Sequence, residues 1–303
     1  MSARGKLLRS WMFVPGDRQR MIDKALSLHV DAIMMDIEDG VAPSAKQAAR
    51  EQIGASLDQV AQQLNSRPDH RTPARFVRVN AVGSERFIDD IREVVRPGLE
   101  GLVIPKAATV AQIRIVEDEL GRAEVAHQIP GGSLELLVAI ESPVGLFNAY
   151  QIASCSPRIV GLMFGAEDFT REMNLPVRRE GEAVDMIFAR SAIATAAAAA
   201  HVQAIDGVWV DLNDPEGLKR FARQARRLGM SGISIIHPNQ IDEANAAFTP
   251  SAEDIAYAEE VLAAFDAARA RGEGAIAFRG QLLDFPIVDR ARQTIELAKS
   301  LTH

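Results

Sequence analysis

L134-E-L-L-V-A-I-E-S-P143 and I159-V-G-L-M-F-G-A-E-D168 decide how this chain reads. Each is a short apolar run that ends in carboxylates. Neither alternates polar with apolar residues, so both faces of each segment are expected to be covered by protein, as in the strands of a parallel sheet. A carboxylate placed where a buried strand meets a loop is poorly solvated and needs a partner. Several such carboxylates converging on one spot repel one another unless a cation lies between them. The two stretches therefore point to a parallel α/β fold and to a divalent-metal site at the strand ends.

The same pattern recurs on either side. Strands are expected at Leu8–Val14, Ala32–Ile37, Phe76–Val79, Gly101–Ile104, Leu134–Ile140, Ile159–Phe164, Ala204–Val210 and Gly232–Ile236. Helical periodicity fills the gaps, at Arg18–Leu28, Lys46–Leu64, Ser84–Val95, Val110–Leu120, Leu146–Ala153, Val184–Ala200 and Glu216–Leu228. Eight strands with crossover helices over about 240 residues match a (β/α)8 TIM barrel. An open doubly wound sheet is the alternative, but the V14-P-G-D-R18 turn lacks the glycine spacing that admits a pyrophosphate. The barrel is expected over residues 1–245. Residues 246–303 read as a C-terminal extension with a helix at Ala252–Arg271, a hairpin around Arg279–Gly280 and a last helix at Pro286–Leu301. So short a tail is expected to lack a core of its own and to pack on the barrel or a neighbouring subunit.

Chemistry in such a barrel sits where strands give way to loops. Strand one ends in Pro15-Gly16, strand two in D36-I-E-D-G40, strand three in R78-V-N80, and strand four in Pro105-Lys106. The remaining four end at Glu141, Glu167-Asp168, Asp211 and His237-Pro238. Glu141 and Asp168 are the candidate metal ligands. Two carboxylates, completed by water and substrate oxygens, suit Mg2+, with Mn2+ as the alternative ion; zinc is disfavoured because no His/Cys cluster is visible. Buried ion pairing of the two with Lys106 or Arg78 is the competing reading. Arg78 can hold a carboxylate or keto-acid oxygen bidentately, or pair with Glu38 or Asp39, or do both. Glu38 and Asp39 are placed to orient waters around the ion. Asp36 alternates with Glu38 and reads equally well as structural; His237 stands between a structural part and a substrate contact. Lys106 either pairs with an acidic ligand or touches substrate. Successive backbone N–H groups of Gly165, Ala166 and Glu167 can cradle a substrate carboxylate. Pro15 and Arg18 stand on the substrate side, with Arg18, Arg20 and Lys24 either meeting phosphates or forming a solvated helix face.

Composition limits the function classes. The 303 residues are 47% hydrophobic and carry a net charge of −7, which disfavours a nucleic-acid backbone as partner. No apolar run approaches the roughly 20 residues needed to span a bilayer, so no membrane partner is expected. Met1 to Ser10 is basic but is not followed by the apolar core of a secretory signal, and the single cysteine, Cys155, fits a reducing cytoplasm.

Ten strings now fall in order along the chain. They are R9-S-W-M-F-V-P-G-D-R18, D36-I-E-D-G-V-A-P43, R78-V-N80, P105-K106, I140-E-S142, F164-G-A-E-D-F169, I205-D-G-V208, I236-H-P-N-Q240, A247-F-T-P-S251 and G280-Q-L-L-D284. Together they resemble the citrate lyase β-subunit-like family, which includes malyl-CoA and citramalyl-CoA lyases. The resemblance implies a (β/α)8 barrel, usually trimeric, with Mg2+ on Glu141 and Asp168 and with Arg78 on the keto-acid oxygen. It implies that Asp284 lies on a C-terminal segment reaching over a neighbouring subunit's active site and exchanges the acetyl methyl proton. The implied reaction is Claisen-type cleavage of a 3-hydroxyacyl-CoA, such as malyl-CoA or citramalyl-CoA, to acetyl-CoA and a 2-keto acid, glyoxylate or pyruvate. Coenzyme A is then part of the substrate. For the hydroxyl proton, a water positioned by Glu38 is one option. Pro143 and the S231-G-I-S-I stretch depart from the family pattern and bear on the identity of the acyl group. Rival readings are a CoA-independent metal aldolase, an acyl-CoA thioesterase, a lyase subunit acting on an acyl carrier protein, and a non-catalytic binding subunit.

Overall fold

The computed structural model describes residues 7–67, 71–176, 184–270 and 276–301. The chain divides into two units, Met1–Asn245 and Ala246–His303. The first is a closed barrel of eight parallel strands: β1 (Ser10–Pro15), β2 (Ala32–Asp36), β3 (Ala74–Arg78), β4 (Gly101–Ile104), β5 (Glu135–Ile140), β6 (Ile159–Phe164), β7 (Gln203–Val208) and β8 (Gly232–Ile235). β1 pairs with both β2 and β8, which closes the sheet and removes the open doubly wound alternative. Around the strands run α1 (Gln19–Leu26), α2 (Lys46–Ser66), α3 (Phe87–Val94), α4 (Val110–Ala126), α5 (Pro143–Phe147), α6 (Ala149–Ser154), α7 (Ala166–Glu172), α8 (Ile187–Ala199), α9 (Pro215–Arg227) and α10 (Ile241–Phe248). No helix of the described residues is long and apolar enough to cross a membrane.

The expected strands all form, with ends shifted by a residue or two. Helices differ in three places. The single helix expected over Leu146–Ala153 is two, α5 and α6, joined at Asn148, whose side chain donates to the Ala108 carbonyl. α7 opens at Ala166, directly after β6, and α10 follows β8; no helix was expected at either place. Local caps account for several boundaries. Ser142 accepts the Gly145 N–H with Pro143 in the first turn of α5, and Thr109 and Gln112 form a capping box on α4.

Alternation along the strands is what builds the mouth of the barrel. Successive side chains of a strand point to opposite faces, so inward positions recur every second residue. Trp11, Met34, Phe76, Ala139, Met163 and Ile205 belong to one buried cluster, with the Trp11 and Phe76 rings edge to face at 4.9 Å. Two residues further along the same strands come Phe13, Asp36, Arg78, Glu141, Gly165 and Gly207. The apolar plug thus gives way, within one alternation, to a charged layer.

The second unit contains α11 (Ala252–Ala270), the antiparallel pair β9 (Ile276–Phe278) and β10 (Gln281–Leu283), and α12 (Phe285–Leu301). Arg279 and Gly280 both have positive φ, 50° and 78°, as a two-residue type I′ turn requires. The expectation that this tail lacks its own core needs correction: Ala258, Val261, Phe265, Leu283, Val288 and Ala291 form a buried cluster because α11 and α12 present apolar faces to one another. Asp284 is exposed, and its carbonyl accepts the N–H groups of Ile287 and Val288 at the start of α12. Residue 271 of the expected helix, the glycine-rich break before the hairpin, and residues 1–6 of the basic start lie outside the described residues.

Candidate active site

The ends of β2, β3, β4, β5 and β6 bring both signs of charge together. Arg78, at the end of β3, makes a side-on pair with Asp36 on β2: Nε to Oδ1 at 2.7 Å and Nη2 to Oδ2 at 2.8 Å. Its Nη1 lies 3.4 Å from Glu38 Oε2, which has no hydrogen-bond partner in the described structure. The guanidinium stacks over the Phe13 ring at 4.9 Å. Of the partners expected for Arg78, Glu38 is met at ion-pair distance. Asp39 is not; it belongs to Lys106.

Lys106 has a left-handed backbone, φ 53°, just past β4. Its ammonium donates to Glu38 Oε1 at 2.5 Å and to Asp39 Oδ2 at 2.8 Å, and lies 3.8 Å from Asp168 Oδ2. Burial alone would lower the Lys106 pKa; bonds to Asp39 and Glu38 outweigh it and raise it. For Asp39, burial opposes ionisation, but Lys106 pulls the carboxyl below its usual range.

Glu141 is 5% exposed. Its Oε2 accepts the backbone N–H of Lys106 at 3.0 Å. Gly165 lets it fit: a Cβ there would lie 2.2 Å from Glu141 Cγ. Burial pushes the Glu141 carboxyl up to about 8; Arg78 and Lys106 oppose the shift, while the charges of Glu38 and Asp168 add to it. Asp168, in the first turn of α7, pairs with Arg171 at 2.5 Å. The competing ion-pair reading is therefore met for Asp168 and Lys106, while Glu141 interacts with Arg78 electrostatically. Among the described residues no three His, Cys, Asp or Glu side chains form a ready metal cluster. The carboxylates gathered here, Glu38, Asp39, Glu141 and Asp168, offer only oxygen donors, which suits a hard dication.

The remaining expected residues are also placed. Gly165 donates its own N–H to the Ile140 carbonyl, so its part in an N–H cradle is taken, and Ala166 and Glu167 open α7. Pro15 is half-buried at the end of β1, opposite Asp36 in register. Arg18 is exposed, 3.6 Å from Asp17. His237 caps the turn after β8: its Nδ1 accepts the Asn239 N–H, and Gln240 closes a capping box behind it.

Sequence reasoning missed the wiring below the mouth. Lys46 is buried, and its ammonium donates to the carbonyls of Ile37 and Glu38 and to Asn80 Oδ1. Asn80 in turn donates to Asp90, which is paired with Arg50. A lysine and an arginine four residues apart, and so on one face of α2, with Ala48 and Ala49 between them in K46-Q-A-A-R50, was the available signal.

A model of the HpcH/HpaI aldolase/citrate lyase family matches residues 9–238. The chain is 36% identical to citrate lyase subunit beta of Escherichia coli (strain K12) over 291 residues, 96% of this chain and 93% of that protein. It is 32% identical to the mitochondrial citramalyl-CoA lyase of Homo sapiens over 307 residues, 97% of this chain and 86% of that protein. The crystal structure of protein CitE from Mycobacterium tuberculosis in complex with magnesium, acetoacetate and coenzyme A superposes with a TM-score of 0.77 at 30% identity, covering 97% of this chain and 99% of that one. By class, then, the protein is a carbon–carbon lyase on an eight-stranded barrel. It belongs to the HpcH/HpaI aldolase/citrate lyase family, with citrate lyase beta subunits and citramalyl-CoA lyases among its relatives.

Proposed function

We propose that this protein cleaves a 3-hydroxyacyl-CoA of the malyl-CoA or citramalyl-CoA type to acetyl-CoA and glyoxylate or pyruvate, with Mg2+ held by Glu141 and Asp168. The observation that carries the reading is the charge imbalance at the barrel mouth. Glu38, Asp39, Glu141 and Asp168 face Arg78 and Lys106, and the buried Glu141 is pushed up to about 8. A hard dication relieves that surplus. When bound, it supplies Lewis-acid polarisation of substrate oxygens. Arg78 offers its guanidinium to the oxygen that becomes the ketone. Glu38, with one oxygen on Lys106 and the other unbonded, is suited to holding a water at the substrate hydroxyl. The N–H groups of Ala166 and Glu167 stand at a helix start, where a carboxylate is favoured. Pro15 and Arg18 lie at the end of β1 and the start of α1, on the side given to the thioester.

Asp284 is assigned the proton exchange at the acetyl methyl carbon, delivered by a second copy of the chain within a homotrimer. Its exposure on the hairpin-to-α12 corner supports this part. A cytoplasmic setting and a tail that covers a neighbour's site belong to the same proposal.

A substrate panel tests it. With Mg2+, release of glyoxylate or pyruvate is expected from malyl-CoA or citramalyl-CoA, and none from free 4-hydroxy-2-keto acids. Cleavage of only the free acids would replace the reading with a CoA-independent aldolase. Thioester hydrolysis without carbon–carbon cleavage would make the protein a thioesterase, and activity only on carrier-protein thioesters would make it a carrier-dependent subunit. Asp284→Asn is expected to suppress hydrogen–deuterium exchange of the acetyl-CoA methyl group by NMR while pyruvate still binds. An unchanged exchange rate removes Asp284 from the mechanism.

A further inference from the structure

We propose that Asp36 is the positioning residue that aims Arg78 and, through the same carboxylate, sets the loop that carries Glu38. The inference rests on the reading of Arg78 as the oxygen clamp and goes beyond it by naming what fixes the clamp.

Asp36 is 3% exposed at the end of β2, opposite Arg78 in the strand register. Its oxygens accept from Arg78 Nε and Nη2, from the Glu38 N–H at 2.9 Å and from the Gly40 N–H at 2.8 Å. A carboxylate has about four lone-pair sites, so these bonds use its whole capacity. An arginine at the bottom of a mouth is a flexible side chain with several usable edges. Here one edge is held by Asp36 and one face by Phe13, so the distal edge, with Nη1 3.4 Å from Glu38 Oε2, is the part left to meet a ligand oxygen. That pre-orientation removes rotamer entropy before a ligand arrives.

The loop is tied to the same atoms. Gly40 approaches so closely that a Cβ would lie 2.4 Å from Asp36 Oδ2. Lys46 holds the other side of that loop through the Glu38 carbonyl. The clamp and the water-holding carboxylate therefore share one anchor, and a change at Asp36 disturbs both together. An asparagine would be nearly the same size, yet its amide would put hydrogens against N–H donors where acceptors are required.

The experiment has two readouts. The first needs no substrate. In protein carrying ¹⁵N-labelled arginine, the Arg78 Nε–H resonance, assigned by its loss in Arg78→Lys, is expected to exchange slowly with water. In Asp36→Asn it is expected to broaden or vanish, and to weaken in Gly40→Ala. Retention of a slowly exchanging Arg78 Nε–H in Asp36→Asn overturns the proposal. The second readout is calorimetric titration of pyruvate with Mg2+ into wild type, Asp36→Asn, Arg78→Lys and the double variant. Asp36→Asn is expected to weaken pyruvate by about 10-fold or more, as for other residues that orient a site. The double variant is expected to lose clearly less than the sum of the two single losses, because much of the Asp36 effect runs through Arg78. Additive losses mean that Asp36 acts on general stability and overturn the proposal. Wild type that binds no pyruvate rejects the keto-acid reading of the site, and the Arg78 resonance then decides Asp36 by itself. Should Asp36→Asn fail to fold, Gly40→Ala carries both readouts.

Discussion

The barrel contains two buried charge systems that differ in what they leave unspent. In the wall, Arg190 of α8 and Asp206 of β7 are fully buried and paired at 2.7–2.8 Å. Arg190 also stacks on Phe221 at 4.7 Å and reaches Gln224, while Asp206 accepts the Gly207 N–H. Here one cation faces one anion and the charges balance, although burial raises the Asp206 carboxyl too. At the mouth, Asp36, Glu38, Asp39, Glu141 and Asp168 stand against Arg78, Lys106 and Arg171, so negative charge is in excess. Balanced pairs specify structure, whereas an excess of like charge stores electrostatic free energy that an ion of opposite sign can release.

Asp168→Asn gives the largest expected contrast. Mg2+-dependent cleavage of malyl-CoA and citramalyl-CoA falls below detection, while circular dichroism and the unfolding midpoint stay near wild type. Full activity in that variant would return Asp168 to the framework. Arg190→Met is the mirror experiment. It leaves Asp206 buried and unpaired, and is expected to cost about 3–5 kcal/mol of stability by urea unfolding, with the kcat of the folded fraction unchanged. Adding Asp206→Leu is expected to recover most of that loss; if it does not, the pair does more than satisfy itself.

The smallest effect is on pH. In metal-free protein the Glu141 carboxyl sits at about 8 against an ordinary 4.5. A carboxyl raised in the folded state favours its neutral form there. Its contribution to stability is fully present below 4.5 and is lost as pH rises through about 8. With chelator present, the melting temperature of wild type is expected to fall between pH 5 and pH 9 more than that of Glu141→Gln. Identical slopes would place the negative charge of the mouth elsewhere.

The strands were legible because continuous apolar runs admit few other readings, and the acidic ends of β5 and β6 followed from them. Other features were hidden for physical reasons. α7 begins directly at the strand end, so Gly165-Ala166-Glu167-Asp168 carries no separate apolar stripe before it. The partnership of Asp36 with Arg78 depends on register between β2 and β3, which a single chain does not display. Its trace was the spacing Met34–Asp36 and Phe76–Arg78, polar residues one alternation past apolar ones. Arg190 was concealed in the alanine-rich run of α8, where a lone cation among small residues is itself the clue to a buried partner.

The reach of Lys106 has a practical result. One side chain after β4 links acids that follow β2 and precede the body of α7. The protein thereby brings its own counter-ion to the acidic mouth, so the cylinder is expected to fold without a metal, unlike small zinc domains that are unfolded without theirs. If the proposed ion sits at this mouth, chelation is expected to silence the enzyme reversibly without undoing the chain around it.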